Sequence, residues 1–326
     1  MKETNLFNWA TSELSQDAFI CWLLSFAKNQ RDNPQLSACA WDFIRRIPNL
    51  KNAKQLVRID RQVVVEFPER RNGRIDVLLT VDDYTVIIED KIFSPADDEQ
   101  LENYIEALGA KKSIGVFYKP VSQCRFSKKF FTFTRDELFP IFKPYKDKID
   151  NDIFTDYLEY LQHFDDEENA YKSLPISQWY GIRYNGFFEH LKDCGLVPKD
   201  AGYGYVANPQ GGFMAMWWDS KTPQQVKTFN FDDNHFNHLY IQIEDDRICL
   251  KMSLEQRNFG AEDVRHAWET VRRYFRDKIG DTFNFVRFSF GNGKSHARWM
   301  TVGYVLYDEK NYRQKVQLMC QLFDAL

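Results

Sequence analysis

At 326 residues the chain can hold one large domain or two of ordinary size, each with a substantial core. A net charge of −4 excludes a protein that coats polyanions over its whole surface, so any contact with nucleic acid needs a local basic patch. No apolar run approaches the ~18–20 residues that span a bilayer, and the six scattered cysteines offer neither zinc spacing nor a disulfide framework.

Residues 12–28 predict an apolar-rich helix (Phe19, Ile20, Trp22, Leu23, Leu24, Phe26) capped by Thr11 or Ser12. A second helix covers 35–47 and stops at Pro48, and strands follow at 56–67, 75–81 and 85–92. Ser94-Pro95 opens a helix that reaches Leu108 before Gly109. Strands at 113–118 and 130–134 come next, Thr134 caps a short helix, and a helix at 150–164 closes this half. The stretch 165–178, acidic and then carrying Pro175, marks a boundary between domains 1–170 and 171–326. Beyond it the pattern predicts a helix at 181–193 and strands at 203–207, 212–218, 238–244 and 247–253. A helix at 262–279, strands at 283–290 and 297–307 and a helix at 310–324 complete the chain. Turns at Asp245-Asp246 and Asn292-Gly293 predict a smaller α+β domain with a mostly antiparallel sheet.

The segment GRIDVLLTVDDYTVIIEDKI carries the chemistry. With Asp82 and Asp83 as the turn, pairing outward places Asp76 opposite Glu89. Lys91 then shares the face of Glu89, and Asp90 points the other way. Facing carboxylates repel unless a cation lies between them. The run Val86-Ile87-Ile88 suits a strand covered on both faces, which delivers these charges to a site at the sheet's end. Two carboxylates and a lysine so placed are equipped for metal-dependent phosphodiester hydrolysis, with a hard cation on oxygen ligands.

The element order and these acidic positions resemble the PD-(D/E)XK nuclease superfamily, in the bacterial branch whose first helix carries a glutamate. The resemblance covers about residues 10–135, through Asp76, Glu89-Asp90-Lys91, and Gln100 and Tyr104 on the following helix. Glu13, in TSELSQDAFICWLL, matches the first-helix glutamate, while Ile75 stands where the pattern has proline. The resemblance implies an α/β, restriction-endonuclease-like mixed sheet and a Mg²⁺- or Mn²⁺-dependent nuclease acting on nucleic acid, with DNA expected. Asp76 and Glu89 would bind the metal, and Lys91 would orient or activate water. Glu13 would reach the metal directly or through water, and Gln100 and Tyr104 would support the site or touch the phosphate backbone. A catalytically silent relative that binds nucleic acid or a protein partner is the alternative. A bacterial cytoplasm, phage defence and no membrane partner are expected, and a homo-oligomer is left open.

Other signals are weaker. Gly293-Lys294-Ser295 lacks the glycine a phosphate loop needs, because Phe288 stands there. His235 and His238 read as solvated loop histidines. Arg265, Arg272, Arg273 and Arg276 share one predicted helix with Trp268, Tyr274 and Phe275, and Arg287, Lys294 and Arg298 follow. That pattern fits a surface that grips phosphates and stacks bases, or an ordinary amphipathic helix with a solvated face.

Overall fold

The computed structural model describes residues 1–29, 33–67, 71–208, 211–255, 259–290 and 298–326, which form two units, Met1–Glu167 and Glu168–Leu326. In the first unit, α1 (Glu13–Ser25) buries Phe19, Ile20, Leu23 and Leu24. Helix α2 (Pro34–Arg46) starts where Asn33 accepts the N–H of Leu36 and Pro34 needs no donor. Strands β1 (Leu56–Val65), β2 (Gly73–Val81) and β3 (Tyr84–Asp90) run as an antiparallel meander.

The β2–β3 turn is fixed by Asp82. Its backbone takes a left-handed φ of 49°, and its carboxylate accepts the N–H groups of Lys54 and Gln55. The ladder then pairs Val81 with Tyr84 and continues to Val77 with Ile88, which sets Asp76 and Glu89 as the next opposed positions.

After β3 the helix begins later than the sequence predicts. Pro95 lies outside it, and α3 spans Asp98–Leu108 because Asp97, in extended conformation, accepts the N–H of Glu99 as N-cap. Gly109 closes α3 in the left-handed conformation, φ 58°. Strand β4 (Ser113–Tyr118) pairs parallel with β3, and β5 (Phe131–Phe133) parallel with β4. The sheet order β1-β2-β3-β4-β5 is mixed, with β3 at its centre. Val86, Ile87 and Ile88 are fully buried, each contributing ~1.5–3 kcal/mol of apolar burial. Helices α4 (Arg135–Phe142) and α5 (Asp152–Asn169) follow, so the first residues of the acidic boundary stretch are helical.

The second unit starts with α6 (Ile182–Asp193). Strands β6 (Gly202–Val206), β7 (Phe213–Lys221), β8 (His238–Glu244) and β9 (Arg247–Ser253) lead to α7 (Ala261–Ile279), β10 (Asn284–Phe285), β11 (Trp299–Leu306) and α8 (Tyr312–Asp324). The sheet order is β10-β11-β9-β8-β7-β6, and every neighbouring pair is antiparallel. The predicted strand at 283–290 shrinks to two residues, and beyond it the ring of Phe288 lies under Arg265 of α7. Asn292, Gly293, Lys294 and Ser295 lie outside the described residues. Among the described residues no helix is long and apolar enough to cross a membrane.

Candidate active site

The end of β3 sends successive side chains to two different helices. Glu89 points toward α3, where Gln100 Nε2 donates to its Oε1 at 2.5 Å and to the Tyr104 hydroxyl at 3.1 Å. That hydroxyl donates to the Arg74 carbonyl at 3.1 Å and accepts the Arg74 N–H at 3.2 Å, which ties α3 to the start of β2. Tyr104 is buried, and its hydroxyl is engaged by Gln100 and the Arg74 backbone. Lys91 Nζ sits 2.8 Å from the same Glu89 Oε1. The other oxygen, Oε2, is buried with no hydrogen-bond partner.

Asp90 points toward α1 and is fully buried. Gln16 Nε2 donates to its Oδ1, while Tyr157 donates to Gln16 Oε1 at 3.0 Å and shares a 2.7 Å hydrogen bond with Tyr118. Asp17, one helical turn after Glu13, faces Asp90. Their two remaining oxygens, Asp17 Oδ1 and Asp90 Oδ2, find no donor, and a hydrogen bond between the carboxyls forms only when one carries a proton.

Asp76 lies between these two sets. Its Oδ2 accepts the Asp90 N–H at 2.9 Å, and its Oδ1 accepts Gln62 Nε2 at 3.0 Å. Gln62 stands on β1 between the pairs Arg61–Val77 and Val63–Ile75, and its Nε2 also donates to Asp17 Oδ2 at 2.8 Å. The residue holds a left-handed φ of 56° inside a strand, a conformation disfavoured for a side chain of this kind. Glu13 Oε1 accepts the Ile92 N–H at 3.0 Å, which fixes the backbone just after Lys91.

The electrostatics follow from burial of like charges. Burial, and then the charge of Asp76, pushes the Glu89 carboxyl up to about 7. Burial, then Asp76, pushes Asp17 up to about 7, and burial with Asp17 raises Asp90 well above the ordinary carboxylate range. Asp76 is also raised, mainly by burial, against the opposing pull of its two donors. Burial alone would lower the Lys91 ammonium, but Glu89, Glu13 and Asp76 outweigh it and hold the group cationic.

This donor set fits a hard cation. Glu89 Oε2 has a free lone-pair direction, Asp76 keeps lone pairs beyond its two donors, and both ligand atoms are oxygen. Among the described residues no three His, Cys, Asp or Glu side chains are gathered closely enough to hold an ion alone. The rest of a shell would fall to water and substrate, as is usual for magnesium.

The sequence singled out Asp76, Glu89, Lys91, Gln100, Tyr104 and Glu13, and the structure brings all six to the region around the ends of β2 and β3. Gln16, Asp17 and Gln62 were missed. An acid four residues after Glu13, one turn further along the same helix and just before its apolar run, was the available signal for Asp17. Nothing in the sequence marks Gln62.

The remaining candidates lie in the second unit. Arg265, Arg273 and Arg276 are exposed and Arg272 is half-buried. Trp268, only 1 % exposed, and the fully buried Phe275 belong to the core, as on an ordinary amphipathic helix. The solvated-loop expectation fails for His238, which begins β8, whereas His235 does lie in a loop. His235 Nδ1 packs 2.8 Å from Asp232 Oδ1 beside Phe231 and His266, and His238 is half-buried on β8.

A family model described as the PD-(D/E)XK nuclease superfamily matches residues 4–196, more than half of the chain. The match takes in the whole mixed sheet, α1 through α5, and α6. No curated protein and no solved structure gives a match.

Proposed function

Because the chain belongs to the PD-(D/E)XK nuclease superfamily, we propose that its mixed-sheet domain is a metal-dependent nuclease hydrolysing phosphodiester bonds, with DNA as substrate and Mg²⁺ or Mn²⁺ as cofactor. The observation that carries this is the buried, unpartnered Oε2 of Glu89, beside the Asp76 carboxyl and the Lys91 ammonium. Two acids and one cation converge at the open end of a central strand, where a strand-forming sequence alone would have placed apolar groups.

Asp76 and Glu89 would hold the ion, and Glu13 would bind it directly or through water. When bound, the ion supplies polarisation of a phosphoryl oxygen and a more acidic water. Gln100 keeps the Glu89 carboxylate in one orientation, and the Asp90 N–H does the same for Asp76. Lys91 remains an ammonium in its carboxylate surroundings, which supports the role of a clamp on charge that develops at phosphorus over that of a base. Tyr104 acts one step further out, by locking β2 to α3. The domain of residues 171–326 would recognise substrate or partner.

Purified protein is incubated with supercoiled plasmid, single-stranded DNA and RNA, with Mg²⁺ or Mn²⁺ and with EDTA, beside Asp76→Asn and Lys91→Ala. Metal-dependent cutting lost in both variants is the expected result and identifies the substrate class. No cutting, with no Mn²⁺ binding that depends on Asp76, would leave a silent binding protein on a nuclease fold.

A further inference from the structure

Helix α7 carries a feature that the nuclease chemistry does not use. Its inner face buries Val264, Ala267, Trp268, Val271 and Phe275. Arg265, Arg272 and Arg276 follow at intervals of seven and four residues, so they line one edge of the helix over ~16 Å. Each guanidinium lies over an aromatic ring. Arg265 sits 4.6 Å from the Phe288 centroid, Arg272 4.1 Å from Phe285 and 4.9 Å from Trp268, and Arg276 5.0 Å from Phe285.

Among the described residues none of the three has a carboxylate within 4.0 Å, although Glu269 and Asp277 lie on the same helix. Helix arginines near acids gain a few tenths of a kcal/mol by pairing. Here the guanidinium groups rest over rings instead, and leave their N–H edges unused by acids. In a chain of net charge −4, a fixed line of cations unpaired with carboxylates is an arrangement waiting for a linear array of anions.

We propose that this edge of α7 binds the phosphodiester backbone of a nucleic-acid strand, independently of base sequence. The choice of nucleic acid over other polyanions rests on the nuclease function proposed above. The backbone is favoured over the bases because Phe285 and Phe288 are occupied by guanidinium groups and Trp268 is buried. Guanidinium forks match phosphate oxygens in pairs, which suits Arg better than Lys for this contact.

The test is binding of the full chain in EDTA, so that no cleavage occurs, to labelled single-stranded and duplex oligonucleotides, followed by fluorescence anisotropy across a salt series. A variant with Arg265→Gln, Arg272→Gln and Arg276→Gln is compared with the wild type. Three lost phosphate contacts should weaken binding at least ~10-fold at moderate salt and reduce the slope of log affinity against log salt by about 2 for single strands or 3 for duplex. Whichever oligonucleotide shows the loss is the source of the backbone. Scrambling the base sequence should leave the affinity unchanged. The Arg→Lys triple variant controls for folding, because it retains the charges and should keep most of the slope. Unchanged affinity and slope in the Gln variant, or full loss in a folded Lys variant, overturns the proposal. The metal-dependent cleavage assay is separate: cleavage with an unaltered salt slope sinks this site alone, and a slope change without cleavage sinks the nuclease function alone.

Discussion

Removing the charge of Glu89 isolates the electrostatic cost stored in the metal-free site. The carboxyl is 2 % exposed and moves from 4.5 to about 7 through burial and the neighbouring Asp76. At 1.36 kcal/mol per pH unit this amounts to ~3 kcal/mol, with little solvent screening at such depth. The folded state binds this proton more tightly than the unfolded chain does. Metal-free stability therefore declines as pH rises from 4.5 through about 7, then levels off. Urea unfolding in EDTA at a series of pH values should show wild type losing ~2–3 kcal/mol relative to Glu89→Gln across that window. Adding Mg²⁺ at pH 8 should restore wild-type stability and leave Glu89→Gln unmoved, since the ion needs the ionised carboxylate. Parallel pH curves for the two proteins would refute the account of Glu89 as a strained, ion-hungry acid.

Three further outcomes follow from the surroundings of the site. Gln62→Ala removes the one amide shared by Asp17 and Asp76, and should lower metal-dependent cleavage ~10–100-fold with the fold retained by circular dichroism; a wild-type rate would make Gln62 a bystander. Lys91→Ala should cost ~10²–10³ in cleavage rate while calorimetric Mn²⁺ affinity is kept; the reverse pattern would make Lys91 an organiser of ligands. Gly73→Ala sets a Cβ 2.5 Å from Tyr104 Cε1 and 2.8 Å from Phe67 Cε2, and thermal unfolding should report ~1–3 kcal/mol of destabilisation; an unchanged Tm would mean the ring of Tyr104 moves freely.

Much of the architecture was legible because strand and helix periods are strong where burial is strong. The limits of β8 and β9 coincide with the predicted runs, and the Asp82-Asp83 turn fixed the register that sets Asp76 opposite Glu89. The start of α3 was misplaced, because a proline suited to a first turn was read ahead of the Asp97 cap that defines it. The strand at 283–290 was overextended, because alternating aromatics look alike whether or not they go on pairing in a sheet, and here pairing stops at Phe285. Gln62 was invisible for a deeper reason. Its part in the site depends on a positive φ and on contacts with residues 45 and 14 positions away, and neither is written in local pattern.

The alternation at the tip of β3 also constrains how the gene can change length. A slip of one residue that brings Asp90 to Gln100 would set Lys91 opposite Gln16 and draw Glu89 back to the place of Ile88, so that neither acid keeps its partner. Insertions and deletions between Asp76 and Lys91 are thus expected to be lethal to activity even where the sheet survives them. The loop before α3 carries no such ruler, so variation in chain length among functional descendants should collect there.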